Sequence, residues 1–155
     1  MLDYIHEINY AQWLFGEIAA VSAMVGNASS LEIETEDTAA IVSRTATDQI
    51  VVFHLDYVQR DYNRSYEITG DGGTLRWECD QATVQRYDPQ SETWIVESSW
   101  DDWEMNQMYI DEIEHFLSRV GENRETVSPV RQGYADLEVA LAAKESASSK
   151  RQVTI

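Results

Sequence analysis

Hydrophobic residues recur along this chain at two different periods, and the changes of period divide it into three stretches. In residues 3–15, Ile5, Ile8, Ala11, Leu14 and Phe15 follow at three- and four-residue intervals, the spacing that lines one face of a helix. Asp3 is placed to serve the N-terminus of that helix and Gly16 to stop it. From residue 17 to about residue 98 the period falls to two, with β-branched and aromatic residues prominent. This predicts strands over 18–25, 38–45, 49–58, 64–70, 73–79, 83–87 and 93–98. Gly70-Asp71-Gly72-Gly73 signals a tight turn between antiparallel neighbours, and Asp88-Pro89 a second turn. In 49–58, Val51, Phe53, Leu55 and Tyr57 form one apolar face. Ile50, Val52 and Val58 add apolar groups to the other, interrupted by His54 and Asp56. That sheet is expected to be covered on one face and partly covered on the other.

Helical spacing returns over 102–120, where Trp103, Tyr109, Ile110, Ile113, Phe116, Leu117 and Val120 make a stripe and Gly121 closes it. After a loop through Pro129, a last helix is predicted over 131–147, around Tyr134, Leu137, Leu141 and several alanines. Residues 151–155 are read as a short edge strand. A helix, a run of strands, two helices and a strand argue for an α+β fold. The expected architecture is one open, mostly antiparallel twisted sheet with helices packed on one face, in a single domain over 1–155. Trp77, Trp94 and Trp100 fit either sheet packing or a face reserved for a partner.

Composition narrows the classes. The 155 residues are 43% hydrophobic with two prolines and seven glycines, which is globular and not low-complexity. No apolar run approaches the ~20 residues needed to cross a bilayer, and nothing at the N-terminus reads as an export signal. Cys79 is the one cysteine, so an internal disulfide is excluded, and a cytoplasmic location is the simplest default. Eleven Lys and Arg against 28 Asp and Glu leave a net charge of −17. Such a chain repels phosphate backbones and anionic lipid surfaces, so neither nucleic acid nor membrane is an expected partner. An acid-rich, lysine-poor mix suits a salt-rich cytoplasm and is also reached by ordinary acidic proteins.

Few catalytic motifs are present. No glycine-rich turn joins a strand to a helix, so no dinucleotide cradle is expected, and no zinc motif occurs. His6, His54 and His115 fall on three different predicted elements. The most suggestive cluster is in the first helix: Asp3, His6, Glu7 and Asn9 within two turns. Asp3 and His6, three residues apart, share a helix face, and a carboxylate beside an imidazole suits it to proton transfer near neutral pH. Arg60 and Arg64 follow the long strand, placed either to meet an anionic or polyhydroxyl substrate or to solvate an acidic surface.

Several segments in order resemble one family. The stretch from Leu2 to Gly16, with an acid and a histidine opening a helix that ends Trp13-Leu14-Phe15-Gly16, resembles the start of the C-terminal domain of the Gfo/Idh/MocA oxidoreductases. These are the relatives of glucose–fructose oxidoreductase and inositol dehydrogenase. Glu36-Asp37-Thr38-Ala39, the hairpin Ile68–Leu75, the helix Asn106–Leu117 and the closing Ala142–Ser146 with Val153 resemble further family segments. The resemblance implies a dihydrodipicolinate reductase-like C-terminal fold and hydride transfer between NAD or NADP and a carbinol carbon of a sugar, cyclitol or related polyol. It implies His6 as the catalytic histidine and Asp3 as its nearby acid, with Asn9 and Tyr10 beside the substrate. Two positions depart from the family's pattern: Asp3 and His6 are one residue closer than usual, and Asn9 stands where an aspartate is common. In that family a nucleotide-binding Rossmann domain precedes this one; it is absent from these residues, so the chain alone is expected neither to bind nucleotide nor to turn over substrate. The resemblance also implies a homodimer or larger homo-oligomer through the open sheet face. A non-catalytic binding or oligomerisation module of the same fold, and an unrelated half-open sheet carrying an apolar ligand, stay open as alternatives.

Overall fold

The chain leaves its first helix at Gly16, whose φ of 85° is a left-handed backbone setting that suits a residue without a Cβ. The computed structural model describes residues 2–100 and 104–155. A short 3-10 turn, Leu2–Tyr4, leads into α1, Ile5–Phe15. Then follow β1 (Ile18–Gly26), β2 (Thr38–Thr45), β3 (Ile50–Asp56), β4 (Ser65–Gly70), β5 (Gly73–Glu78), β6 (Thr83–Asp88) and β7 (Thr93–Ser99). The chain closes with α2 (Met105–Glu122), α3 (Val130–Ser149) and the short β8 (Val153–Thr154). Every predicted strand is present. The start expected for the second helix, with Trp103, lies outside the described residues. That helix runs through Gly121, and Asn123, in left-handed conformation, caps it instead. Among the described residues no helix is long and apolar enough to cross a membrane.

The α+β class and the antiparallel pairing hold, while the strands are divided between two four-stranded sheets, β3-β2-β1-β8 and β4-β5-β6-β7. The ladder of β3 ends at Asp56 because the following residues, through Arg64, are mostly polar and lack two-residue alternation. The chain accordingly forms two compact units, Met1–Val58 with Glu125–Ile155, and Gln59–Arg124.

In the first unit, register puts Val21, Ile41 and Phe53 on one face of the sheet and Met24, Val42, Ile50 and Val52 on the other. The inner face is covered by α3, which lies across β1 and also packs on α1. Ile8, Val21, Ile41 and Val139 are fully buried there, each stabilising the fold by about 1.5–3 kcal/mol relative to exposure. The side of α3 that does this is Asp136, Val139, Ala140, Ala143 and Ser146. Tyr134, Leu137 and Leu141, expected to form the packing stripe, face outward. Small residues win the contact because they let the helix axis approach the sheet closely. Ser146 completes the seam: its hydroxyl accepts from the Ala23 N–H at 3.0 Å and donates to the Arg151 carbonyl at 2.6 Å.

The second unit holds together differently. Directly opposed residues pair across its strands, as in Tyr66 stacked on Trp77 at 5.0 Å and Tyr87 edge-on to Trp94 at 5.5 Å. The Arg76 guanidinium lies 4.3 Å over the Trp94 ring and donates to Gln85 at 2.6 Å. Of the stripe expected on the second helix, the described members Tyr109, Ile110, Ile113, Phe116, Leu117 and Val120 are all exposed.

Candidate functional site

Asp3 sits in the 3-10 turn and α1 begins two residues later, so the two elements split a cluster that the sequence suggested would share one helix face. Asp3 accepts a hydrogen bond from the Tyr57 hydroxyl at the end of β3. That bond, with partial burial and the Asp3 charge, pushes the Tyr57 phenol up to about 12. Tyr4 stacks obliquely on Tyr57, ring centres 5.3 Å apart, and donates to the Asp56 carbonyl at 2.9 Å. Burial and then the nearby Asp56, Asp3 and Glu7 charges raise the Tyr4 phenol. The N-terminal turn is thus fastened to β3.

His6 takes a different partner from the one expected. Its Nε2 lies 3.1 Å from Glu7 Oε1. The imidazole side chain is 53% exposed, whereas the Glu7 side chain is only 10% exposed. A buried carboxylate therefore orients an exposed imidazole, and the Asp3–His6 pairing is replaced by Glu7–His6. Neighbours on a helix usually diverge; the length of both side chains closes this pair.

Asn9, one turn further, points its Nδ2 at Asp136 Oδ2, 2.6 Å away, with Ser128 Oγ at 3.3 Å. Gln12, another turn on, donates to Asp136 Oδ1 at 2.8 Å and accepts from the Ile18 N–H at 3.0 Å. Sequence reasoning missed Asp136: Asn9 and Gln12 lie more than a hundred residues away, and the one signal near it, Gln132 four residues earlier donating to Oδ1 at 3.0 Å, points only to a pair within α3. Tyr10 is exposed, its ring 5.7 Å from that of Trp13. Arg60 and Arg64 belong to the second unit. Arg60 is exposed in the loop after β3, and Arg64 lies 5.6 Å over the Trp77 ring with Nη2 3.5 Å from the Tyr66 hydroxyl.

A shallow depression lined by Tyr4, Glu36, Asp56 and Tyr57, among others, does not include His6. Among the described residues, no three His, Cys, Asp or Glu side chains come together as metal ligands. A dinucleotide needs a glycine-rich turn between a strand and a helix. Here Gly70, Gly72 and Gly73 make a strand–strand turn, Gly16 leads from helix to strand, Gly26 ends β1, and Gly121 and Gly133 lie within helices. None of these is a glycine-rich turn from a strand into a helix.

Several solved structures share this fold. Levoglucosan dehydrogenase in complex with NADH is similar with a TM-score of 0.87 and 17% identity over 97% of this chain and 48% of that one. It has also been solved with NADH and levoglucosan and with NADH and L-sorbose. An oxidoreductase from Agrobacterium radiobacter, in complex with NAD+, L-tartaric acid and magnesium, gives a TM-score of 0.79 and 19% identity over 97% of this chain and 47% of that one. An oxidoreductase domain protein from Kribbella flavida gives 0.84 and 15% over 98% and 48%. This chain spans about half the length of the structures it matches. No curated protein matches it by sequence. A profile described as the oxidoreductase family's C-terminal alpha/beta domain matches residues 2–155, and the chain therefore belongs to the Gfo/Idh/MocA oxidoreductase family.

Proposed function

We propose that these residues are the substrate-facing, C-terminal part of an oxidoreductase that uses NAD or NADP to interconvert a carbinol and a carbonyl on a sugar, cyclitol or related polyol. The observation that carries this reading is His6: an exposed imidazole at the start of α1, oriented by a nearly buried carboxylate. Oxidising a carbinol requires the hydroxyl proton to leave as the hydride departs, so a general base must reach that oxygen. With Glu7 beside Nε2, the tautomer protonated there is favoured, and Nδ1 offers its lone pair to the hydroxyl. In the reverse direction the same nitrogen returns the proton. The hydride acceptor is the coenzyme, held in this proposal by residues outside the chain. Asn9 and Tyr10, on the following turn, are placed to contact other hydroxyls. Asp3 acts on α1 through Tyr57 and the N-terminal turn. The levoglucosan and sorbose complexes of a protein with the same fold support a polyhydroxylated substrate.

The open face of the first sheet supports assembly into a homo-oligomer. Met24, Ile50 and Val52 are 81%, 64% and 67% exposed there, on a surface that one chain leaves bare. The same face favours a second reading, a non-catalytic assembly module. The two separate in an assay of the intact oxidoreductase with NAD+ or NADP+ and a panel of sugars and polyols. Polyol-dependent coenzyme reduction supports the enzyme; none across the panel, with oligomers retained, supports the module. The chain by itself is expected to be inactive in that assay.

A further inference from the structure

Asp136 is a carboxylate 3% exposed on α3, and its hydrogen-bond partners are three side-chain amides. They divide between its two oxygens. Oδ1 takes Gln12 Nε2 at 2.8 Å and Gln132 Nε2 at 3.0 Å, and Gln12 passes the connection on to the Ile18 N–H. That half is an anchor between α3, α1 and the start of β1. Oδ2 takes Asn9 Nδ2 alone, at 2.6 Å. Asn9 is only half-buried and sits one turn beyond His6. A carboxylate accepts hydrogen bonds and does not donate them, and so it dictates which end of an amide faces it.

We infer that Asp136 is a positioning residue that locks the Asn9 amide with its nitrogen turned to α3, so that Asn9 meets a ligand as an acceptor, through Oδ1. The inference rests on the reading of α1 as the substrate-facing helix and adds a specificity to it: a ligand hydroxyl at Asn9 must donate its hydrogen. A ligand group with only lone pairs at that position, such as a carbonyl oxygen, is disfavoured there. Ser128 Oγ, 3.3 Å from Nδ2, is a weaker second hold on the same nitrogen.

The test is a reciprocal swap read by thermal unfolding and by the side-chain amide resonances of Asn9. In Asn9→Asp two carboxylates confront each other. In Asp136→Asn a single oxygen remains for three amide donors. Each single change is expected to lower the unfolding midpoint by about 3–10 °C. In the double variant, N9D with D136N, the new amide donates to the new carboxylate while its oxygen keeps Gln12 and Gln132. It is expected to regain at least half of the summed loss. Asp136→Asn alone is expected to shift the Asn9 amide resonances, whereas Ser128→Ala leaves them nearly in place. Unchanged Asn9 resonances in D136N, or a double variant no better than the sum of the singles, overturns the inference. If D136N does not fold, the comparison of N9D with the double variant decides it alone. Swap rescue together with full turnover in a His6 variant of the intact enzyme would leave this lock standing and remove only the catalytic reading.

Discussion

The sheet β3-β2-β1-β8 and the sheet β4-β5-β6-β7 each have four antiparallel strands, yet they are held by different physics. The first presents an inner face of Val21, Ile41 and Phe53 to α3, whose Ala140 and Ala143 permit a tight approach. The second has no buried residue in its strands, Cys79 just after β5 being the buried one among those described in its unit, and relies on opposed aromatic rings and on guanidinium groups laid over tryptophans. Burial removes whole side chains from water and is worth kilocalories per residue. Cross-strand pairs on an open surface each contribute roughly 0.2–1 kcal/mol. The proposed chemistry resides on the well-packed side, where α1 is fixed by Ile8 and Ala11 in the core and by Gln12 and Asn9 on Asp136. A platform of that kind preorganises a catalytic side chain.

The contrast is sharpest for single truncations. Ile41→Ala in the first sheet is expected to cost about 2–5 kcal/mol, read from urea unfolding. Leu75→Ala in the second, at a position 40% exposed, is expected to cost less than about 1 kcal/mol. Equal losses would break the comparison. The next effect concerns assembly. Val52→Lys puts a charge on the open face without touching the core; light scattering should show oligomers giving way to monomers, with the unfolding midpoint of the monomer unchanged. Oligomers that persist would move the interface elsewhere.

Two smaller effects concern pH. Asp37 accepts from the Ser29 hydroxyl at 2.6 Å, the Ala28 N–H at 2.7 Å, the Ser29 N–H at 3.0 Å and the Thr38 hydroxyl at 3.1 Å. The Ser29 hydroxyl foremost, then these other donors, hold its carboxyl below the usual range. The stability it supplies is complete above the unfolded value of about 3.9 and is lost as pH falls through the lower folded value. Asp37→Asn should therefore destabilise at neutral pH and flatten the acid limb of the stability curve; an unaltered limb contradicts this. Tyr57 behaves oppositely, because its bond to Asp3 raises the phenol to about 12. Its contribution is present below about 10 and fades as pH climbs through the folded value. In a spectroscopic alkaline titration, Tyr57→Phe should remove the latest-titrating tyrosine; retention of that phase would assign it to another ring.

Much of this was legible in residue order. Two-residue alternation located all seven strands of 18–99, and even the brief pairing of Val153 with Val21 was foreshadowed by a β-branched tail. What escaped depended on choices that local pattern leaves degenerate. On α3 the helical period supports two stripes, and the bulkier one, Tyr134, Leu137 and Leu141, drew the reading away from the alanines that pack. In the candidate site the spacing of Asp3 and His6 assumed one continuous helix, whereas a 3-10 turn at Leu2–Tyr4 swings Asp3 toward Tyr57 and leaves Glu7 to the imidazole. Asp136 is a tertiary partner, and nothing near it in sequence names Asn9.

In the proposed reaction the His6 imidazole moves the substrate proton. Steady-state turnover of the intact oxidoreductase carrying His6→Ala, beside His54→Ala on the open sheet face as control, reads this step. Turnover is expected to fall by about 10²–10⁴-fold for His6→Ala with coenzyme affinity unchanged, and to stay near normal for His54→Ala. Near-normal turnover without the His6 imidazole would contradict it.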